Sequence, residues 1–271
     1  LPPTYVAGLM VVARSLVAGH RPLLVAGHAS LAGALQGVLA TSARHFLSLV
    51  PTQLHRALES PTEVAALREV HTVLVGGGPV DPALRERARR AGLRVVATYG
   101  SSETSGGCVY DGRPLDGVAV ELDDDGRIRL AGPMLFDGYA GDEDLTRATL
   151  VDGWFRTADL GEWADDGRLR VLGRVDDVVV SGGVNVPLPA VAARLREHDG
   201  VDAVEVLGVA DPEWGQRVVA FVVGRVSLDE VRDFVALTLP RAWAPRQVVV
   251  QDALPLLPHG KPDRERLREL A

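Results

Sequence analysis

The chain has 271 residues, 46% of them hydrophobic, and a formal net charge of −7. This acidic balance argues against nucleic-acid binding as the main function, because no basic stripe offsets it. A single cysteine, Cys108, excludes an internal disulfide and is typical of a reducing compartment. Charged residues interrupt the longest apolar stretch, residues 9–25, and no signal peptide is visible, so we expect a cytoplasmic protein.

The first predicted elements are helical. Residues 6–17 form an apolar, helix-like segment that directly follows Leu1-Pro2-Pro3, and residues 31–39 and 43–58 have a pattern typical of an α/β fold. Because the chain opens on this segment without a methionine, we expect it to be a piece of a longer protein.

The clearest predicted unit is a βαβ crossover. A short apolar strand at residues 71–75 is followed by the turn Gly76-Gly77-Gly78-Pro79. Asp81-Pro82 then has the pattern of a helix start, with a capping residue before a proline at the first helical position. The helix is expected to stop at Gly92, before a second buried strand at residues 93–98. The two strands should therefore be parallel.

After Gly107 the pattern changes to β-hairpins and then to a separate small region. Asp-Gly turns at residues 123–126 and 165–167 each separate two strand-like runs. The region that begins near Arg174 contains a predicted helix at 189–198, strands at 203–209 and 218–223, a capping box at Ser227–Glu230 opening a helix to Leu239, and a strand at 247–250. We therefore predict an α/β fold with a parallel-sheet core and an attached β-hairpin region in residues 1–173, followed by a small α+β domain in residues 174–271.

Two polar or glycine-rich segments follow the strands of the crossover. Tyr99-Gly100-Ser101-Ser102-Glu103-Thr104 comes after the second strand, at the edge where open α/β sheets bind ligands. Its aromatic ring can stack on a base, its hydroxyls can donate to phosphate, and Glu103 can hold a divalent cation. Gly76-Gly77-Gly78, at the matching end of the first strand, lets a ligand lie against bare backbone. A polar surface loop and a plain tight turn are the alternatives, and the chain has neither a dinucleotide fingerprint nor a Walker phosphate loop.

Two further segments carry candidate binding residues. Asp159 lies in the segment Trp154–Leu160, which we expect to close a loop before the second hairpin, and its carboxylate can accept two hydrogen bonds from a ribose diol. A solvated aspartate at the entry to a strand is the alternative. Arg174 precedes Asp176 and Asp177, and a surface ion pair with either, which would contribute little, is the alternative to a binding role.

Lysine is almost absent from the chain. Of its 29 basic residues, 28 are arginine and one, Lys261, is lysine. An ammonium group is a compact point charge on a flexible stem, whereas a guanidinium is a planar fork. Lys261 therefore indicates a site that places one positive charge on a crowded reaction centre, and a leftover surface lysine is the alternative.

The order of these segments resembles that of the adenylate-forming enzymes, which include acyl- and aryl-CoA synthetases, luciferases and peptide-synthetase adenylation domains. The shared segments are YGSSET at 99–104, WFRTAD at 154–159, GRVDD with SGGVNV at 173–186, and PHGK at 258–261. The opening LPPTYVAGL also fits a family motif, so the resemblance covers the whole chain. Residues 75–79, 103–112, 114–118 and 215–220 look most like the o-succinylbenzoate–CoA ligases of actinobacteria.

The resemblance implies an ATP-dependent acid–thiol ligase of menaquinone biosynthesis that uses Mg²⁺ and coenzyme A. Its partners would be small molecules only, with no nucleic acid and no membrane, and a homodimer is one arrangement found among relatives. The resemblance implies catalysis by Lys261, Thr104 and the Mg²⁺ ligand Glu103. The implied nucleotide-binding residues are Gly76, Gly77, Gly78, Tyr99, Gly100, Ser101, Asp159 and Arg174. It further implies a hinge at Asp176 that makes the C-terminal domain mobile, a loop on the CoA side at Ser181, Gly182 and Gly183, and an acyl pocket with Tyr5, Ser105 and Gly106.

The chain departs from the family pattern in three ways. The family's phosphate-clamping loop is expected upstream of Leu1, so we predict that this chain alone adenylates poorly while a longer parent protein is active. Tyr5 stands where the family usually has histidine, which weakens the choice of acid, and Ala158 replaces a glycine before Asp159. Another aryl or acyl acid as substrate, and a non-catalytic fragment that binds a nucleotide, therefore stay open as alternatives.

Overall fold

A computed structural model describes residues 1–25, 27–39, 43–257 and 261–271, with the backbone alone at Val38 and Asp176. The helices in these ranges are Val6–Val17 (α1), Leu31–Leu39 (α2), Pro51–Ala57 (α3), Pro61–Glu69 (α4), Pro82–Arg90 (α5), Glu143–Thr149 (α6), Leu188–Leu195 (α7), Leu228–Ala236 (α8) and Arg264–Arg268 (α9). The strands are Phe46–Leu49 (β1), Thr72–Gly76 (β2), Val95–Ser101 (β3), Gly106–Tyr110 (β4), Arg113–Pro114 (β5), Ala119–Leu122 (β6), Arg127–Ala131 (β7), Leu150–Val151 (β8), Trp154–Trp163 (β9), Leu169–Arg174 (β10), Val178–Ser181 (β11), Val184–Pro187 (β12), Val201–Asp211 (β13), Gly215–Gly224 (β14) and Gln247–Gln251 (β15). Short 3₁₀ helices occupy Ser102–Thr104, Val175–Asp177 and Arg241–Trp243.

The chain divides into two compact units. The first contains Leu1–Glu121, Arg129–Arg156 and Asp165–Arg168, and the second contains Leu122–Ile128, Thr157–Ala164 and Leu169–Ala271. This division cuts across β6, β7 and β9, and it assigns the turn of the second hairpin, Asp165–Arg168, to the first unit. The domain boundary at residues 173 and 174 stays a prediction.

The first unit is built on a sheet with the strand order β1-β2-β3-β4-β5. Strands β1, β2 and β3 are parallel, with Val73 opposite Val95 and Gly76 opposite Thr98, whereas β4 pairs antiparallel with β3. Helix α5 connects β2 to β3, and its capping residue Asp81 accepts a hydrogen bond from the backbone N–H of Ala83 at 2.7 Å. The predicted βαβ crossover is therefore confirmed.

The core of the first unit lies between the parallel strands and their helices. Val73 and Val75 of β2 are fully buried, and Leu54, Leu67 and Ala88 from α3, α4 and α5 pack in the same cluster. Each of these valine and leucine side chains contributes about 1.5–3 kcal/mol when it is fully removed from water. The alternation of buried and half-buried residues along β2 fixes which face of the strand meets the helices.

The second parallel strand is longer than the sequence indicates. Strand β3 continues through Tyr99, Gly100 and Ser101, so these residues lie in the strand and not in a loop after it. The chain then reverses through the short 3₁₀ helix and Ser105, which has a φ of 53°, into β4. This reversal depends on Gly100, because a Cβ there would lie 2.1 Å from the carbonyl oxygen of Gly106.

Both predicted hairpins are present. The β6–β7 turn is closed by hydrogen bonds from the N–H of Asp123 to the carbonyl of Arg127 and from the N–H of Gly126 to the carbonyl of Asp123. Strand β10 pairs antiparallel with β9. The prediction that Trp154–Leu160 closes a loop is wrong, because this segment is the first part of strand β9.

The remainder of the second unit is the predicted α+β region. Its sheet has the order β12-β11-β14-β13, and β15 pairs parallel with β14. Helix α7 and helix α8 cover the sheet and bury Val191, Leu195, Val231 and Val235. The capping box at the start of α8 is confirmed, since the backbone N–H of Ser227 donates to Glu230 Oε2 at 2.8 Å and Ser227 Oγ accepts from the N–H of Glu230. No helix in the described ranges is long and apolar enough to cross a membrane.

Candidate active site

Two turns of the first unit follow neighbouring parallel strands. The glycine-rich turn, Gly76–Gly78, comes at the end of β2, and the acidic turn, Ser102–Ser105, comes after β3. Gly76 ends β2 directly opposite Thr98 of β3, so the two segments share one edge of the sheet, as the sequence predicts. A Cβ on Gly76 would lie 2.2 Å from Thr98 Oγ1, whereas a Cβ on Gly78 would meet nothing closer than Pro51 Cγ at 3.9 Å. Packing inside the sheet thus requires Gly76, while Gly78 presents open backbone.

Thr104 holds the acidic turn in shape. Its side chain is 1% exposed, and its Oγ1 accepts a hydrogen bond from the N–H of Ser101 and donates one to the carbonyl of Gly106, both at 2.8 Å. The hydroxyl is therefore used within the turn, where it fixes the backbone on both sides of Glu103. A contact between Thr104 and a phosphate stays a prediction.

Glu103 has a partner that the sequence does not reveal. The hydroxyl of Tyr139 donates a hydrogen bond to Glu103 Oε1 at 2.9 Å, and the N–H of Phe136 donates to the carbonyl of Glu103 at 2.9 Å. Burial and the neighbouring carboxylate raise the pKa of Tyr139, so its hydroxyl stays protonated and able to donate well above neutral pH. Tyr139 lies 36 residues from Glu103, and no local pattern connects them.

Of the predicted acyl-pocket residues, Tyr5 lies directly before α1, Ser105 lies directly before β4, and Gly106 is the first residue of β4. Ser105 Oγ donates to the carbonyl of Met134 at 2.9 Å, and a Cβ on Gly106 would be 3.8 Å from Cγ of Met10 in α1. Tyr5 immediately precedes α1, where its carbonyl accepts the N–H of Leu9, and its side chain is 44% exposed. The structure therefore places α1 beside Gly106, and a pocket formed with Tyr5 stays a prediction.

Asp159 and Arg174 lie side by side in the second unit. They are directly opposite each other on β9 and β10, and Nη1 of Arg174 is 3.9 Å from Oδ1 of Asp159. This distance is too long for a direct hydrogen bond but keeps an acceptor and a donor together. The two residues that the resemblance assigns to a ribose are thus brought together across the hairpin.

The predicted CoA-side loop is the tip of the β11–β12 hairpin. Gly182 and Gly183 have φ angles of 58° and 80°, which a two-residue hairpin turn requires. Ser181 is 1% exposed, so the two glycines alone present backbone at the tip. The N–H of Gly182 donates to the carbonyl of Trp214 at 3.0 Å, and a Cβ on Gly182 would lie 2.5 Å from Trp214 Cε3.

The predicted hinge residue lies in the short 3₁₀ helix Val175–Asp177 between β10 and β11. The side chain of Asp176 lies outside the described residues. The adjacent Asp177 is 9% exposed, and its Oδ1 accepts a hydrogen bond from Nη1 of Arg264 at 2.6 Å. A surface ion pair of Arg174 with Asp176 or Asp177 stays an alternative.

Lys261 lies at the end of a short loop whose two ends are held together. Leu256 and Pro262 form an antiparallel β-bridge, the N–H of Leu257 donates to the carbonyl of Lys261 at 2.8 Å, and the N–H of Asp263 donates to the carbonyl of Pro255 at 2.9 Å. Residues 258–260 lie outside the described residues. Lys261 is exposed, as a group that contacts a substrate must be.

The carboxylate of Glu103 fits a Mg²⁺ ion that binds together with a nucleotide. Among the described residues, no group of three or more histidine, cysteine, aspartate or glutamate side chains can hold a metal ion by itself. Mg²⁺ in nucleotide sites is held by one or two carboxylates together with substrate phosphates and water. Glu103, whose carboxylate is oriented by Tyr139, matches that requirement.

The chain is similar to known ligases in both sequence and structure. The chain is 43% identical over 280 residues to a probable 2-succinylbenzoate–CoA ligase of Mycobacterium tuberculosis, covering 98% of this chain and 72% of that protein. An o-succinylbenzoate CoA synthetase from Bacillus subtilis in complex with the acyl-adenylate intermediate has a TM-score of 0.81 and 27% identity, covering 99% of this chain and 59% of the solved one. The same synthetase in complex with ATP and a magnesium ion has a TM-score of 0.80 and 26% identity, with 99% and 60% covered.

Family models match both parts of the chain. Residues 1–140 match the AMP-binding enzymes, and residues 190–261 match the C-terminal domain of AMP-binding enzymes. These two stretches contain the acidic turn and Lys261, respectively. The resemblance stated from the four ordered segments is confirmed, and the chain belongs to the AMP-binding enzyme family.

Proposed function

We propose that this chain belongs to an ATP-dependent acid–thiol ligase that converts o-succinylbenzoate to its CoA thioester through an acyl-adenylate, in the cytoplasm and in menaquinone biosynthesis. The observation that carries the proposal is the similarity, along nearly the full chain, to a mycobacterial ligase with this substrate in its name. The proposal divides the chain at residues 173 and 174 into part of a large domain and a small mobile domain, and a homodimer is its proposed assembly.

The first half-reaction joins two anions. An oxygen of the substrate carboxylate bonds to the α-phosphorus of ATP, the bond from that phosphorus to the oxygen bridging to the β-phosphate breaks, and pyrophosphate leaves. The carboxylate is already a nucleophile, so positioning and positive charge must supply the catalysis. We assign the charge between carboxylate and α-phosphate to Lys261, because its ammonium is exposed on a loop with fixed ends.

The proposed nucleotide contacts follow the family resemblance residue by residue. Tyr99 and the Gly76–Gly78 backbone would flank the adenine, with Gly100 and Ser101 beside it. The carboxylate of Asp159 would accept hydrogen bonds from the ribose hydroxyls and the guanidinium of Arg174 would donate to them, a role supported by their pairing across β9 and β10. Glu103 would hold Mg²⁺, which when bound neutralises negative charge on the phosphates.

In the second half-reaction the thiol sulfur of CoA attacks the acyl carbonyl carbon, the thiol proton is released, and AMP leaves. Lys261 is no longer needed between carboxylate and phosphate. We propose that rotation at Asp176 withdraws Lys261 and brings the Gly182–Gly183 tip toward the thiol. The open backbone at Gly183, where nothing lies within 4 Å of the position that a Cβ would occupy, supports a close approach there.

Pyrophosphate release from MgATP and o-succinylbenzoate tests the proposal. This chain should be compared with one extended upstream, because the expected phosphate-clamping loop would lie there. Release by the extended chain with this acid and not with a panel of other aryl and acyl acids is the expected result. Release with a different acid would keep the reaction and replace the substrate. Nucleotide binding without release by either chain would overturn the enzymatic proposal, and equal release by both chains would overturn the need for an upstream loop.

A further inference from the structure

Arg264 bridges two carboxylates that lie far from it in the sequence. Its Nη1 is 2.6 Å from Oδ1 of Asp177, and its Nε is 2.7 Å from Oε1 of Glu205. Both acidic side chains are 12% exposed, whereas the guanidinium side chain is 42% exposed. Burial by itself would lower the pKa of Arg264, but the two carboxylates outweigh it and raise the pKa. The contact is therefore a charged three-residue cluster within the second unit.

The cluster joins three elements of the second unit. Asp177 ends the 3₁₀ helix that contains the proposed hinge, Glu205 lies in the central part of β13, and Arg264 is the first residue of α9. One turn later in α9, Leu267 is fully buried against Leu207, which faces the same side of β13 as Glu205. Helix α9 is thus attached to β13 by one apolar and one charged contact.

This attachment lies directly after the loop of Lys261. The β-bridge between Leu256 and Pro262 closes that loop, and Asp263 both donates its N–H to the carbonyl of Pro255 and caps α9. Arg264 follows at once, so its ion pairs hold the downstream end of the loop. Leu254, packed against the Leu207 and Leu267 cluster, holds the upstream end.

We propose that Arg264 is a positioning residue for Lys261: its bridge from Asp177 to Glu205 ties the lysine loop to the segment of the hinge. The effect on catalysis rests on the proposed function, whereas the contact of Arg264 with the two carboxylates does not. A planar guanidinium can bond two carboxylates at once through Nη1 and Nε, whereas an ammonium on a lysine stem is a point charge. A merely stabilising ion pair would raise the stability of the unit without any effect on the environment of Lys261.

The single lysine gives a direct readout. If the chain is labelled with ¹⁵N-lysine, its amide spectrum contains one backbone resonance, that of Lys261. Arg264→Met removes the charge and keeps an apolar stem. Arg266→Met is the matched control, because Arg266 is on the same helix and pairs only three residues away with Glu269, with both side chains more than half exposed.

We expect Arg264→Met to shift and broaden the Lys261 resonance, and Arg266→Met to leave it in place. A folded Arg264→Met chain with an unchanged Lys261 resonance would overturn the proposal. If Arg264→Met does not fold, Asp177→Asn and Glu205→Gln replace it, because each removes one partner of Arg264 and neither adds a second lysine. We expect each of these to move the resonance, and a folded example of either that leaves it unmoved counts against the proposal in the same way.

Kinetics of the upstream-extended protein give the second readout. Misplacing a catalytic group by about 1 Å can cost on the order of 100-fold in rate. We expect Arg264→Met to lower kcat for pyrophosphate release about 10- to 100-fold with little change in the KM for ATP, while thioester formation from added acyl-adenylate changes much less. Equal loss in both half-reactions would overturn the positioning role. Failure of the unsubstituted protein to release pyrophosphate with any acid would contradict the proposed function instead, and the resonance of Lys261 would still decide the positioning proposal.

Discussion

The hydroxyl of Tyr139 lies 2.9 Å from Oε1 of Glu103 and donates a hydrogen bond to it across 36 residues of sequence. Phe136 reinforces the arrangement, since its N–H donates to the carbonyl of Glu103 and its ring packs edge-on against Tyr139 with centroids 4.8 Å apart. The segment that follows β7 thus orients the carboxylate proposed to hold Mg²⁺. Side chains that orient a metal ligand affect the site without touching the metal.

Tyr139→Phe should weaken the use of Mg²⁺. A hydrogen bond to a charged group contributes about 1.5–3 kcal/mol, so we expect the Mg²⁺ concentration for half-maximal pyrophosphate release to rise about tenfold or more. The measurement is a Mg²⁺ titration of the upstream-extended protein at saturating ATP and acid. Tyr110→Phe is the control, because its hydroxyl only meets Arg14 at 3.5 Å on the surface. An unchanged Mg²⁺ requirement in Tyr139→Phe would contradict the role of this hydrogen bond.

Lys261→Ala should separate the two half-reactions. We expect adenylate formation to fall by roughly 100- to 1000-fold, because a charge that acts on the transition state is lost. Thioester formation from added acyl-adenylate should be much less affected. Both steps can be followed in the extended protein, by pyrophosphate release and by thioester absorbance. Arg266→Ala, which removes another exposed cation, is the control, and equal loss in both steps of Lys261→Ala would indicate a structural role only.

Asp176→Pro should have the opposite effect. Proline fixes φ near −65°, so it restricts rotation at the 3₁₀ helix Val175–Asp177. We expect adenylate formation to be largely retained. Thioester formation should fall by roughly an order of magnitude or more, because a domain motion can limit the rate of the step that follows it. Asp176→Ala removes the side chain and leaves the backbone free, and it is therefore the control. Thioester formation at the unsubstituted rate in Asp176→Pro would argue against a hinge here.

Gly182→Ala and Gly183→Ala form a matched pair for stability. Both positions have positive φ, which costs a residue with a Cβ about 1–2 kcal/mol. Only at Gly182 does the added Cβ also meet a neighbour, Trp214 Cε3 at 2.5 Å, and overpacking adds about 1–3 kcal/mol. We expect urea unfolding to show that Gly182→Ala loses more free energy of unfolding than Gly183→Ala. Equal losses would mean that the Trp214 ring moves aside freely.

Local sequence patterns predicted the elements whose signals are themselves local. Asp81-Pro82 marks the start of α5, and Ser227 with Glu230 marks the start of α8, because capping bonds span only two or three residues. The parallel strands of the crossover follow from the length of the helix between them. The edge shared by Gly76 and Thr98 follows in turn from that parallel pairing.

The missed features depend on contacts between distant residues. The sequence predicts that Trp154–Leu160 closes a loop, but the segment lies in strand β9. Thr157 is only 4% exposed there, and its Oγ1 donates to the carbonyl of Ile128 at 2.9 Å. The partner of Glu103 lies 36 residues away, and Asp177 and Arg264 are 87 residues apart. The tertiary fold decides which distant residue forms a hydrogen bond or ion pair with a buried polar side chain. A single sequence therefore does not reveal such partners.

Cys108, the only cysteine of the chain, lies in β4 two residues after Gly106 and is 2% exposed. Burial raises the pKa of its thiol, and it is the thiolate that attacks electrophiles. An acyl-adenylate is an electrophile meant for the thiol of another molecule. A sulfur that is protonated and buried in this way is a poor target for such an electrophile, although it lies only two residues from a position proposed for the acyl pocket.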